Sequence, residues 1–192
     1  MLFLKYNLFL FIEKIKSTWK YNHRVTVDDL QNASYLVKAG LLTSLKGMML
    51  KNFKIIGQQM SELKLPRFDT VYLDGVYGDI WQLLPLISCD QLCIWRSTLT
   101  SNDTKALVNC LNTAVTQLWL GDYLTLDFSS LSQYNGRGQC KYVECRYDSY
   151  TRYKSPVTTW AHRNGWKEQD DPSFKYLVVT KDEMFQSRLS IR

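Results

Sequence analysis

The chain has 192 residues, enough for one domain or two small ones. Apolar residues make up 45% and charged residues 22%, with 9 glycines and 4 prolines, which excludes a disordered or collagen-like polymer. The 24 Lys and Arg against 18 Asp and Glu give +6, but the basic residues are scattered; they read as a solvated surface, not as the concentrated patch that nucleic acid requires.

The N-terminal stretch MLFLKYNLFLFIEK is apolar, yet Lys5 interrupts it, Glu13 ends it and no small-residue cleavage site follows. Residues 1–24 therefore read as an N-terminal helix or ragged cap rather than a signal peptide. No apolar run reaches the ~18 residues of a membrane span. The next helix is predicted over 28–40, opening at Asp28 or Asp29 and stopping at Gly40. A short one over 78–87 is cut or kinked by Pro85. A third spans 100–112, capped by Thr100 or Ser101, with Asp103 in the first turn and Ala106, Leu107, Cys110 and Leu111 on one face. A fourth runs over 155–165 between Ser155-Pro156 and Gly165.

Between these helices one apolar pattern returns: a residue, a second three positions later and a third two beyond that. It occurs at Leu45/Met48/Leu50, Phe68/Val71/Leu73, Cys89/Leu92/Ile94, Val115/Leu118/Leu120, Cys140/Val143/Cys145 and Phe174/Leu177/Val179, with first positions 23, 21, 26, 25 and 34 residues apart. A weaker version sits at Val25 and Val27. Each match is a candidate strand followed by a short helical return.

Strand, turn and short helix at this period resemble the leucine-rich repeat, whose pattern is L-x-x-L-x-L-x-x-N/C-x-L. The asparagine position falls on Phe53, Val76, Ser97, Tyr123, Asp148 and Asp182, so an Asn ladder is missing. That departure resembles the irregular repeats of the ribonuclease-inhibitor-like group. The resemblance implies an α/β solenoid: a curved parallel sheet of about six strands with short helices on its convex side. It would occupy 25–192, with a capping unit at about 147–192 to absorb the long last step. The segments TLTSNDTKALVNCL, LWLGDYLTLDFSSLSQYNGRGQCKYVECRYD and SPVTTWAHRNGW also resemble the C-terminal repeats of animal NLR-type receptors, although no NACHT-type ATPase module is present. This implies sensing, autoinhibition or scaffolding in innate immunity, in the cytoplasm. Repeat-bearing F-box proteins, the substrate-recognition subunits of ubiquitin ligases, are the alternative, though the N-terminus carries no convincing F-box.

Little in the chain suggests catalysis. Its two histidines are His23 and His162, and no nucleophile elbow, phosphate loop or H-E-x-x-H is present. Asn135-Gly136-Arg137-Gly138 reads as a tight turn. The expectation is a non-enzyme without cofactor or metal. The five cysteines, Cys89, Cys93, Cys110, Cys140 and Cys145, are odd in number and contain no C-x-x-C pair, which argues for a reducing compartment and against a disulfide framework or zinc site. Cys89, Cys140 and Cys145 take core positions of the repeat. Cys93 alone points outward and is the candidate reactive thiol.

Side chains alternate along a strand. When the apolar triplets face the core, the opposite face carries Tyr72, Trp95, Trp119, Tyr142 and Tyr176 in adjacent strands, with Lys51, Asp74, Glu144 and Arg146 beside them. Aromatics flanked by charge are what interface hot spots are made of. This concave strand face is the predicted site for a protein partner, with Tyr72, Trp95, Trp119, Tyr142, Glu144, Arg146 and Tyr176 as its residues. A one-residue slip of register would bury the aromatics instead.

Overall fold

The computed structural model describes residues 2–19, 24–121, 124–126, 138–140, 142–146, 167–171 and 176–180. Helix α1 (Leu2–Thr18) and helix α2 (Val27–Lys38) lead into strand β1 (Ser44–Lys51), strand β2 (Lys54–Ile55) and helix α3 (Gly57–Met60). Strand β3 (Arg67–Asp74), strand β4 (Tyr77–Gly78), helix α4 (Ile80–Leu83) and a 3-10 turn (Leu84–Leu86) follow. Then come strand β5 (Cys89–Trp95), helix α5 (Ser101–Thr113), strand β6 (Val115–Leu120), strand β7 (Tyr142–Arg146), strand β8 (Lys167–Asp171) and strand β9 (Tyr176–Thr180).

The architecture is α/β. A seven-stranded sheet runs β1-β3-β5-β6-β7-β9-β8, and its first five strands are parallel. Its register reproduces the sequence repeat: Leu45 pairs with Phe68 and Phe68 with Cys89, while Met48, Val71, Leu92, Leu118 and Val143 form one row. The weak match at Val25 contributes a single parallel bridge, Arg24 to Met49, closed by the Val25 N–H on the Met49 carbonyl at 3.1 Å.

The sixth match does not continue this series. Strand β9 pairs antiparallel with both β7 and β8. The cause is local: β8 ends at Asp171 and β9 begins at Tyr176, and a parallel return needs a crossover of roughly a dozen residues. Tyr176 therefore lies opposite Arg146 rather than beside Tyr142, whose partner is Thr180.

One apolar cluster holds the layers together. Leu30, Ala33 and Leu36 of α2, Met60 of α3, Ile80 and Leu83 of α4 and Leu107 and Leu111 of α5 pack on Leu45, Met48, Leu50, Phe68, Val71, Leu73, Leu92, Leu118 and Val143 of the sheet. Trp19, just after α1, is 1% exposed and stacks on Phe68 with ring centroids 6.0 Å apart.

Helix ends follow the side chains that can satisfy them. Helix α2 starts one turn residue earlier than its acidic pair suggests, because Thr26 is the cap: its Oγ1 accepts the Asp29 N–H while Asp29 accepts the Thr26 N–H. Gly40, at φ +71°, closes the other end, with the Gly40 and Leu41 N–H groups donating to Val37 and Leu36. Helix α5 repeats the device with Thr100 and Asp103. Pro85 turns the 78–87 helix into α4 plus the 3-10 turn. The helix expected over 155–165 lies outside the described residues.

Polar ties join successive repeats at matching positions. Asp79 Oδ2 accepts the Gly57 N–H at 3.0 Å and Asp103 Oδ1 accepts the Trp81 N–H at 2.6 Å, both across 22 residues. Ser97, at the position where the repeat family carries asparagine, is 2% exposed; its Oγ accepts the Val76 N–H at 3.1 Å and donates to the Trp95 carbonyl at 2.7 Å. A short hydroxyl thus gives the Val76 N–H its acceptor and adds a second donor to the Trp95 carbonyl, which also accepts the Gly75 N–H at 2.9 Å. After the strands, Asn52, Gly75 and Arg96 take positive φ (+49°, +65° and +47°) at the same place in three repeats.

Candidate protein-binding face

The parallel register stacks equivalent residues into lateral rows on the face opposite α2–α5. Met49, Tyr72, Cys93, Trp119 and Glu144 form the middle row; Gly47, Thr70, Gln91, Gln117 and Tyr142 lie toward the strand starts, and Lys51, Asp74 and Trp95 toward the strand ends. Neighbours in a row are about 4.8 Å apart and rows on one face about 6.7 Å. Tyr72, Trp95 and Trp119 are partly exposed, so the register reading holds and these aromatics are not core.

They form two groups rather than one continuous column. Tyr72 meets Trp95 edge to face, with centroids 5.7 Å apart at 71°. Trp119 is tilted against Tyr142 at 6.1 Å and 35°. Cys93 lies between Tyr72 and Trp119 in the row and is 2% exposed. Large aromatic neighbours cover it, so the expectation of an accessible reactive thiol at Cys93 fails. Cys89, Cys110 and Cys140 are buried thiols as well. Burial, then the neighbouring Cys93, pushes the Cys89 thiol far up, and burial pushes Cys110 up to about 12, so neither supplies a thiolate nucleophile at neutral pH.

Trp95 is held by what faces it across the strands. The pairing of Ile94 with Leu120 places Gly121 next to Trp95, and a Cβ on Gly121 would overlap the indole Cδ1, Nε1 and Cγ. The ring therefore lies against backbone that only glycine leaves bare. Its Nε1 is buried without a hydrogen-bond acceptor among the described residues.

The carboxylates of the face are engaged. Arg96 Nε donates to Asp74 Oδ1 at 2.6 Å and Nη2 to Oδ2, a bidentate pair on a carboxylate that is only 9% exposed. The hydrogen bond to Asp74, then its charge, holds the Arg96 guanidinium protonated beyond its ordinary range. Glu144 is 5% exposed and its Oε2 accepts the Tyr142 hydroxyl at 2.5 Å. Tyr142 is itself 5% exposed, so both residues shape the face from below its surface. The backbones of Arg146 and Tyr176 pair at the antiparallel end; their side chains lie outside the described residues.

Elsewhere, a cleft of about 380 Å³ lies at the starts of β1 and β3, lined by Lys16, Ser44, Leu45, Lys46 and Asp69. Among the described residues no group of three or more His, Cys, Asp or Glu is placed to hold a metal ion. His23 and His162 lie outside them. Two residues of the face were not singled out from the sequence. Gly121 is signalled only by its register opposite Trp95, and Arg24 only by the weak repeat beginning at Val25.

No protein family, curated protein or solved structure matches this chain.

Proposed function

We propose that this chain is a non-catalytic, leucine-rich-repeat-like module that captures a protein partner on the sheet face bearing Tyr72, Trp95 and Trp119. One observation carries the reading: three partly exposed aromatic side chains are fixed by register, ring contacts and a glycine seat on the face that α2–α5 leave uncovered. Rigid aromatics give contact area at low entropic cost, and their orientation here needs no ordering on binding. The partly exposed Gln91 and Gln117 in the neighbouring row add adaptable donors and acceptors. The repeat kinship is supported by in-register parallel strands spaced 21 to 26 residues apart and by hydroxyl and carboxylate ties between successive turns. A role in innate immune sensing or scaffolding in the cytoplasm belongs to this reading through the NLR-type resemblance.

A specific observation favours a second reading, a substrate-recognition subunit of a ubiquitin ligase. Helix α1 exposes Phe9, Leu10 and Phe11, an apolar surface of the kind an adaptor would cover. In that case the sheet face binds the substrate and α1 the ligase adaptor.

The test is a quantitative pull-down with the full chain against Tyr72→Ala and Trp119→Ala, each checked by circular dichroism. The reading expects variants that keep the wild-type spectrum and lose the retained partner. Folded variants that hold the same partner as strongly as wild type overturn it.

A further inference from the structure

We infer that the β1 end of this face receives an acidic peptide segment, one that sets carboxylates on Arg24 and Lys51 and an apolar side chain on Met49 and Tyr72. The inference deepens the binding reading above and rests on it.

Arg24 pairs with Met49 across a parallel bridge, which extends the middle row by one residue to Arg24–Met49–Tyr72. Residues in register on parallel strands emerge on the same side, so Arg24 belongs to the aromatic face. Lys51 lies on that face two residues beyond Met49 and opposite Asp74. Both Arg24 and Lys51 are exposed, and among the described residues neither makes an ion pair. One strand across and two residues along puts their Cα atoms about 8 Å apart. That is close to the spacing of alternate side chains in an extended peptide, about 6.7 Å.

The anions of the face are already compensated. Asp74 is clamped by Arg96 and Glu144 is buried under the Tyr142 hydroxyl. The Arg24, Lys51, Arg96 and Asp74 group therefore carries three positive charges against one negative, beside a half-buried methionine and the Tyr72–Trp95 pair. A basic or neutral segment would leave two exposed cations facing like charge or nothing. An acidic one meets both, and Arg24 can do so bidentately.

A random-peptide display library selected on the immobilised full chain provides the test. It is repeated on Arg24→Glu/Lys51→Glu and on Tyr72→Ala/Trp119→Ala, with circular dichroism to confirm folding. On wild type, the recovered peptides are expected to be enriched in Asp and Glu next to an apolar residue. By fluorescence anisotropy their affinity should fall about tenfold on charge reversal and decline with added NaCl. No recovery on wild type, recovery without acidic bias, or an affinity indifferent to charge reversal and salt overturns the inference. Apolar peptides lost only on Tyr72→Ala/Trp119→Ala would remove the acidic preference and leave the aromatic face in place. Peptides indifferent to both pairs would remove both.

Discussion

Gly121→Ala isolates the contact that fixes the aromatic face, because it adds one methyl group where the Trp95 indole lies. The Gly121 backbone is not in the positive-φ region, so alanine is conformationally allowed and by itself restricts the unfolded chain. That term is favourable by about 0.4–1 kcal/mol. Against it stands the overlap of the new Cβ with Cδ1, Nε1 and Cγ, atoms at the root of the indole that cannot move aside without rotating the whole ring. Overpacking of this kind costs about 1–3 kcal/mol. The single variant should therefore lose about 1–2 kcal/mol, or some 2–8 °C in Tm for a domain of this size. On a Trp95→Ala background the overlap is gone and the same substitution should be neutral or slightly stabilising, giving a coupling of about 2 kcal/mol. Urea denaturation of the four proteins measures it. Equal effects of Gly121→Ala on both backgrounds, within about 0.5 kcal/mol, would refute the claim that the ring rests on Gly121. Because the single variant displaces the anchor while retaining it, partner binding should weaken although every aromatic residue is still present.

The indole N–H of Trp95 has no acceptor among the described residues, so Trp95→Phe removes a donor unsatisfied there along with some contact area; it should change stability by less than about 1 kcal/mol in urea melts, far less than Trp95→Ala. Asp103 is 1% exposed and ties Trp81 to the α5 cap, so Asp103→Ala should cost about 2–4 kcal/mol by denaturation, whereas Thr100→Ala, which loses only the cap, should cost about 1. Equal losses would mean that the bond to the preceding repeat contributes nothing. The thiols of Cys89, Cys93, Cys110 and Cys140 should react with a thiol reagent at the rate of unfolding, not at the rate of an exposed cysteine. For Cys110 the folded pKa, about 12, exceeds the ordinary thiol value of 9.0, so its contribution is complete below about pH 9 and declines from there toward pH 12. Stability measured across that range should fall with pH, and Cys110→Ala should flatten the slope.

The sheet was legible because its code is local and repeated. Met48, Val71, Leu92, Leu118 and Val143 are apolar at one place in each period, and the strands align on them without a slip. The α5 start was legible from Thr100 and Asp103 alone, since a capping box needs only its own residues. The antiparallel turn of β9 was not. Phe174, Leu177 and Val179 satisfy the same apolar spacing, and nothing in that spacing carries strand direction. Direction is set by chain length between strands, here the short interval from Asp171 to Tyr176, and the charged stretch Lys167–Asp171 does not read as a strand by apolar alternation.

The candidate site divides along the same line. Which residues share the face follows from parity, so Tyr72, Trp95 and Trp119 could be placed from the sequence. What each one touches depends on diagonal neighbours in other strands, and parity is silent on those. Cys93 has the parity of an exposed residue and is covered because aromatics of adjacent strands lie on both sides of it. Asp74 and Glu144 have the composition of free orienting charges and are spent on Arg96 and Tyr142. Arg24 carries the opposite lesson: its strand is one bridge long, too short for any periodic signal, yet that bridge sets a cation at the head of the aromatic row. Charge complementarity on this face is therefore decided at its ends. The net +6 of the whole chain says little about it; the pairing of Asp74 and the exposure of Arg24 and Lys51 are what assign a negative sign to the proposed partner.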